Sequence, residues 1–244
     1  MTSELIDGSI FLHIPKTGGT WVCRVLQEMA LIRREVGKHA HAGFVQATMY
    51  PQGKKRWKEW GRLENWKPEN WLRPGVRMKM PRTFCFVRHP VAWYESWWRY
   101  LRGKNGDIPW LVNGANVDRY VKRWNPLSAA CETYCEDFHT YMARLHGKFP
   151  GYVTWLYGQY ATPEVDFVGK QENLREDLRE VLALFGLAFD EGMLMGKRRI
   201  NEAEFNEEPV VWDPGLLREV QAAEGTAMQR YGYSEIGVKE LEAA

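Results

Sequence analysis

The sequence predicts an α/β fold: a parallel sheet flanked by helices, with a Trp-rich insertion after the first strand–helix unit. Three observations predict it. Ser9–Met29 and Thr83–Leu101 each read as strand, turn and helix, with basic residues at the turn. Val165–Phe185 repeats a short apolar run followed by an amphipathic helix. The 244 residues suit one α/β domain with insertions, taken here as 1–244, and a hydrophobic content of 45% is ample for a core.

Ile10, Phe11, Leu12 and Ile14 form an almost wholly apolar run, the pattern of a strand buried on both faces. Pro15–Gly19 breaks it. Apolar residues then recur at Trp21, Val22, Val25, Leu26 and Met29, one buried side of a helix. Strand, glycine turn and helix leave backbone N–H groups free to face an anion, and the helix dipole adds positive potential. Lys16 adds a mobile charge, and Thr17 and Thr20 add hydroxyls. The stretch reads as a P-loop-like cradle for phosphate or sulfate. It departs from the nucleotide pattern G-x-x-x-x-G-K-[ST], because Lys16 precedes Gly18 and Gly19.

Further along, Gly37 is expected to end the first helix, with Arg33 and Arg34 at its negative end. KHAHAGF follows, carrying His39 and His41. Residues 38–80 read as a long surface excursion containing Trp57, Trp60, Trp66 and Trp71, in the manner of ordered binding loops. Thr83–Val87 is the second strand, ending in Arg88-His89-Pro90, and Pro90 suits a helix start. Trp93, Tyr94, Trp97, Trp98 and Leu101 mark the buried side of that helix. Residues 111–160 are mixed helical. Cys131 and Cys135 are expected as reduced thiols on one helix face. A third strand is expected over Val165–Val168, then a helix through Leu174, Leu178, Val181, Leu182 and Phe185, ended by Gly186. Lys197, Arg198 and Arg199 form a basic run, and the last helix is expected over Pro214–Tyr231.

HIPKTGGT, between strand and helix, resembles the 5′-phosphosulfate loop of sulfotransferases that use 3′-phosphoadenosine 5′-phosphosulfate (PAPS), most of all the carbohydrate (heparan-type) branch. FVRHPVAWYESWW resembles the 3′-phosphate site of the same family. The resemblance implies that Lys16, Thr17, Gly18, Gly19, Thr20 and Trp21 surround the 5′ end of PAPS, and that Arg88 and Ser96 hold its 3′-phosphate. An Arg fork and a compact Ser donor on a rigid helix suit phosphate. It further implies that Arg198 and Arg199 lie in a loop closing over the nucleotide. The pattern H-x-H-A-x-F resembles the place of the branch's catalytic base, matched to His41, with His39 as fallback and Glu95 or Glu64 as carboxylate alternatives. His13 and His89 are read as structural, as is Glu172.

The implied chemistry is sulfuryl transfer from PAPS to an acceptor hydroxyl on a small molecule or saccharide, with carbohydrate slightly favoured and no metal required. Platforms such as Arg56, Trp57, Lys58, Trp60 and Arg62 suit a sugar ring and equally an aromatic alcohol. Two rivals stay open: a P-loop nucleotide kinase or NTPase, and a non-catalytic binder of 3′,5′-bisphosphoadenosine (PAP). A net charge of +2 argues against generic nucleic-acid binding. With no apolar run of membrane-spanning length and a polar N-terminus, the chain reads as cytoplasmic and without an anchor.

Overall fold

A computed structural model of the chain describes residues 2–37, 81–102, 128–198 and 210–237. In chain order, its elements are β1 (Thr2–Leu5), β2 (Ile10–Leu12), α1 (Gly19–Glu28), β3 (Ile32–Gly37), β4 (Thr83–Val87) and α2 (Pro90–Arg102). Then come α3 (Ser128–Glu132), α4 (Phe138–Lys148), α5 (Tyr152–Tyr160) and β5 (Phe167–Lys170). A 3₁₀ turn (Gln171–Asn173) leads into α6 (Leu174–Leu184), followed by α7 (Glu191–Gly196), α8 (Pro214–Ala223) and α9 (Gly225–Tyr231). Among the described residues no helix is long and apolar enough to cross a membrane. The Trp-rich insertion of residues 38–80 lies outside the described residues.

The chain divides into two compact units. The first, Met1–Val87 with Gln159–Ile200, holds a five-stranded sheet in the order β3-β1-β2-β4-β5. β2, β4 and β5 pair in parallel, with Leu12 opposite Cys85 and Val87 opposite Lys170. The expected sheet is thus present, but it is mixed, because β1 runs antiparallel to both β2 and β3. Phe11, Phe84 and Phe86 on the central strands pack with Trp21 and Val25 of α1 and Leu178 of α6, all buried.

The N-terminal residues, to which the sequence assigns no element, form the buried strand β1, with Thr2 and Ser3 fully covered. Two sequence expectations are corrected in this unit. Helix α1 ends at Glu28, not at Gly37. Ala30 takes a left-handed φ of 55°, and Leu31 returns an N–H to the Leu26 carbonyl at 2.9 Å. The following IRREV segment becomes edge strand β3, and Arg33 and Arg34 reach Glu4 of β1 at 3.3 and 2.5 Å. A buried carboxylate across the ladder, rather than a helix dipole, satisfies these two arginines. The last strand begins at Phe167 instead of Val165, because the Asp166 carboxylate accepts the Thr83 N–H at 2.7 Å and starts the β4–β5 pairing there.

The second unit, Arg88–Gly158 with Asn201–Ala244, is helical throughout its described residues. Trp93 stacks on Trp97 at 5.5 Å and 10°, and Phe138 meets Trp212 edge-on at 4.9 Å. All tryptophans among the described residues of both units are buried, as aromatics with large apolar area should be. The expected continuous helix Pro214–Tyr231 breaks into α8 and α9 at Glu224. There the Glu224 carboxylate turns inward. It accepts the Val153 and Thr154 N–H groups at 2.9 and 2.7 Å and the Tyr94 and Thr154 hydroxyls at 2.5 and 2.6 Å. It thereby caps the start of α5. Cys131 and Cys135 are free thiols, but α3 stops at Glu132, so they do not share a helix face.

Candidate anion-binding site

The site of the first unit is the β2–α1 loop. After Leu12, Pro15–Gly18 form consecutive turns, and Gly18 precedes α1 with φ 82°. Lys16 is also left-handed, with φ 66°, a conformation that costs a non-glycine residue ~1–2 kcal/mol. Such strain persists where the surroundings over-determine it, commonly at functional loops. Thr17 is buried, and its hydroxyl donates to the Ile14 carbonyl at 2.9 Å, pinning the loop to the strand end. Lys16 is half-buried and Thr20 exposed.

Both glycines are there because of close approach. A Cβ on Gly18 would lie 2.6 Å from Leu174 Cδ2, and one on Gly19 would lie 2.0 Å from His13 Cδ2. The His13 ring lies near-parallel to Phe11 at 5.9 Å and forms the floor beneath α1. His13 is therefore a packing residue, as its place beside the strand predicts. Gly18 at the N-cap brings no side chain to cap α1, and the first turn holds no acidic residue. The helix N-terminus is thus left with amide hydrogens and positive potential toward the loop, the arrangement that takes phosphate or sulfate.

The basic run reaches this same helix. The Trp21 indole N–H donates to the Arg198 carbonyl at 3.0 Å, and the Arg175 guanidinium donates to the Lys197 carbonyl at 2.8 and 3.2 Å. Lys197 Nζ pairs with Glu28 at 2.5 and 2.7 Å. Trp21 and Glu28 are seven residues apart on one face of α1, so the segment runs along that face toward the helix N-terminus. The Arg198 side chain is exposed there. Trp21 itself is buried, and its polar edge is engaged by this strap. Among the described residues no group of three His, Cys, Asp or Glu side chains is placed to hold a metal ion.

In the second unit, Arg88 follows directly on the last residue of β4 and is half-buried. The Tyr157 hydroxyl donates to the Arg88 carbonyl at 2.6 Å and accepts the Arg88 N–H at 3.1 Å. His89 starts α2: its carbonyl accepts the Trp93 N–H at 2.9 Å, and Nδ1 accepts the Val91 N–H at 3.3 Å. Nδ1 being an acceptor, Nε2 carries the proton and donates to the Ser234 carbonyl at 3.0 Å. The structural reading of His89 is supported. Ser96 is half-buried on α2. Next to it, Glu95 accepts the Trp212 indole N–H at 2.7 Å. Burial pushes its carboxyl up from the ordinary range, against the opposing pull of Trp212, Arg99 and Arg88.

Of the residues singled out in the sequence, Lys16, Thr17, Gly18, Gly19, Thr20, Trp21 and Arg198 come together around the start of α1. Arg88 and Ser96 belong to α2 and its approach. His39, His41, Glu64 and Arg199 lie outside the described residues. Glu172 is exposed in the 3₁₀ turn after β5. Sequence reasoning missed Arg175, Tyr157 and Glu224. Each acts on backbone atoms of a segment distant in sequence, and no local pattern announces such a partner.

The described residues form an α/β protein whose β2–α1 strand–loop–helix unit is the candidate anion site. No family model matches the chain, and no solved structure matches it. It is similar to heparan-sulfate 6-O-sulfotransferase 1-A of Danio rerio, 32% identical over 114 residues, which is 39% of this chain and 27% of that protein. The chain thus matches about a quarter of the length of this curated relative, a likeness to a sulfotransferase at a distance.

Proposed function

We propose that the chain transfers a sulfuryl group from PAPS to an acceptor hydroxyl. The observation that carries the reading is the β2–α1 loop: a left-handed Lys16, two glycines with no room for a Cβ, and a helix N-terminus without an acidic or capping side chain. Likeness to a heparan-sulfate sulfotransferase supports it independently and favours a saccharide acceptor.

PAPS supplies an activated sulfuryl group whose transfer leaves a phosphate, so the protein's task is positioning and charge stabilisation. Lys16 and the N–H groups of Gly18, Gly19 and Thr20 stabilise the negative charge growing on the 5′-phosphate side. Thr17 holds the loop closed. Arg88 and Ser96 bind the 3′-phosphate, and Arg198, strapped to α1 through Trp21, adds positive charge over the nucleotide, with Arg199 beside it in sequence. His41 removes the acceptor proton, with His39, Glu95 and Glu64 as the alternatives, and the reaction uses no metal.

The test is a calorimetric titration with PAP, with and without Mg²⁺, beside ADP and ATP. Magnesium-independent binding that prefers PAP supports the reading, and turnover with labelled PAPS then separates an enzyme from a non-catalytic binder. Preference for ATP with Mg²⁺ would replace it with a kinase or NTPase. His41→Ala should keep PAP affinity and lower the rate ~10²–10⁴-fold, the usual loss for a general base. A drop with His39→Ala instead would move the base by two residues.

A further inference from the structure

The residue proposed to read the 3′-phosphate is held by its backbone, and one hydroxyl does the holding. Tyr157 is fully buried on α5. Its oxygen donates to the Arg88 carbonyl at 2.6 Å and accepts the Arg88 N–H at 3.1 Å. Arg88 stands where the chain has just left β4, whose ladder ends with Val87 opposite Lys170. A single hydroxyl bonded to both main-chain groups of one residue fixes the peptide planes on either side of it. That sets the direction of the Cα–Cβ bond from which the guanidinium extends.

The hydroxyl is itself held. The Tyr231 ring at the end of α9 meets the Tyr157 ring edge-on at 5.9 Å, and Tyr233 meets His89 edge-on at 5.1 Å. Gly232 turns left-handed at φ 63°, and Ser234 accepts the His89 Nε2–H. The Gln221 side-chain amide clasps Ile236 with bonds of 3.2 and 2.7 Å, anchoring the segment beyond. At the other end of α5, Glu224 caps Val153 and Thr154. The Arg88–His89 pair therefore sits between α5, which holds the Arg88 backbone, and the C-terminal turn, which holds the His89 ring.

We propose that Tyr157 is a positioning residue that aims Arg88 at the 3′-phosphate, an inference that rests on the sulfotransferase reading above. A dihedral swing of ~20°, within ordinary scatter, carries a group ~6 Å from its Cα through about 2 Å. A misplacement of about 1 Å already costs ~10²-fold where geometry governs the chemistry. Removing the hydroxyl should thus weaken 3′-phosphate recognition and leave the 5′-phosphate cradle in the first unit alone.

The experiment compares affinities for PAP and adenosine 5′-monophosphate (AMP) in wild type, Arg88→Ala, Tyr157→Phe and the double variant of the full chain. Wild type should prefer PAP, and Arg88→Ala should abolish the preference. Tyr157→Phe should reduce the preference ~10-fold with AMP affinity within ~2-fold of wild type, and should add nothing on top of Arg88→Ala. A purely structural tyrosine would weaken both ligands alike or neither, and either result overturns the inference while the sulfotransferase reading stands. If Arg88→Ala keeps the preference, Arg88 is not the reader and the inference falls while the sulfotransferase reading stands; if wild type has no preference, both fall. Wild type gives a second measurement should Tyr157→Phe misfold. Saturating PAP should slow hydrogen exchange at the Arg88 amide, because ligand and clamp favour the same backbone state; an unchanged rate there refutes the clamp.

Discussion

Gly19→Ala isolates the packing that shapes the β2–α1 loop. The new Cβ would fall 2.0, 2.3 and 2.7 Å from Cδ2, Nε2 and Cγ of His13, where carbon contacts belong at ~3.5–4.0 Å. The ring cannot step aside cheaply, being 6% exposed and stacked near Phe11. Gly19 has no left-handed backbone to protect, and alanine is the better helix former, so a loss of stability would be steric. Overpacking of this kind costs ~1–3 kcal/mol. At ~2–4 °C per kcal/mol for a chain of this size, the melting temperature should fall about 5 °C. Displacing the start of α1 should weaken PAP binding by ~10-fold or more. Adding His13→Ala makes room for the methyl group, so the two substitutions should couple by at least ~1 kcal/mol. Scanning calorimetry and titration of the single and double variants read both effects. A Gly19→Ala protein with wild-type melting and affinity would refute this account of the loop floor.

Other consequences can be measured in the same way. Lys16→Gly should relieve the strain at φ 66° and resist urea better than Lys16→Ala by ~1 kcal/mol, while both bind PAP at least ~10-fold more weakly. The reverse order of stability would mean the loop is unstrained. Arg175→Ala removes two hydrogen bonds to the Lys197 carbonyl and should hasten tryptic cleavage after Lys197 and Arg198, with PAP affinity falling ~3–10-fold. Unchanged proteolysis would show the strap is held without it. Burial raises the Glu224 carboxyl despite its four donors, so the unfolded chain gives up this proton first as pH rises. Wild-type stability should therefore decline from pH ~4.3, the unfolded value, through the raised folded value. Glu224→Gln should be less stable throughout, because its amide N–H₂ confronts donors, yet flat across that window. An equally steep decline in the variant would assign the effect to other groups.

Much of the first unit was legible in the sequence because its signals are local. The apolar run Ile10–Leu12, the break at Pro15–Gly18 and the spacing of Trp21, Val22, Val25 and Leu26 each reflect one strand or one helix face. The same holds for Thr83–Val87 and for α6. The sequence reading failed where a distant partner overrode a local preference. Thr2–Leu5 carries no strand signal of its own, yet it is a buried strand because β2 and β3 pair on either side of it. Arg33 and Arg34 suit a helix end, yet they lie on β3 because Glu4 sits across the ladder. Pro214–Tyr231 reads as one helix, yet it breaks at Glu224, where the Val153 and Thr154 amides and the Tyr94 and Thr154 hydroxyls offer the carboxylate four donors.

The sequence by itself determined the strand–turn–helix units that begin at Ile10 and Thr83 and the helix from Leu174, since residue type and period act within a few neighbours. Tertiary structure alone decided why the loop keeps its form. His13 under Gly19, Leu174 against Gly18 and Trp21 holding Arg198 join residues distant in sequence or in different elements, and within the second unit Tyr157 does the same for Arg88. Such contacts depend on shape and on which backbone groups each fold leaves unsatisfied, and a linear pattern encodes neither.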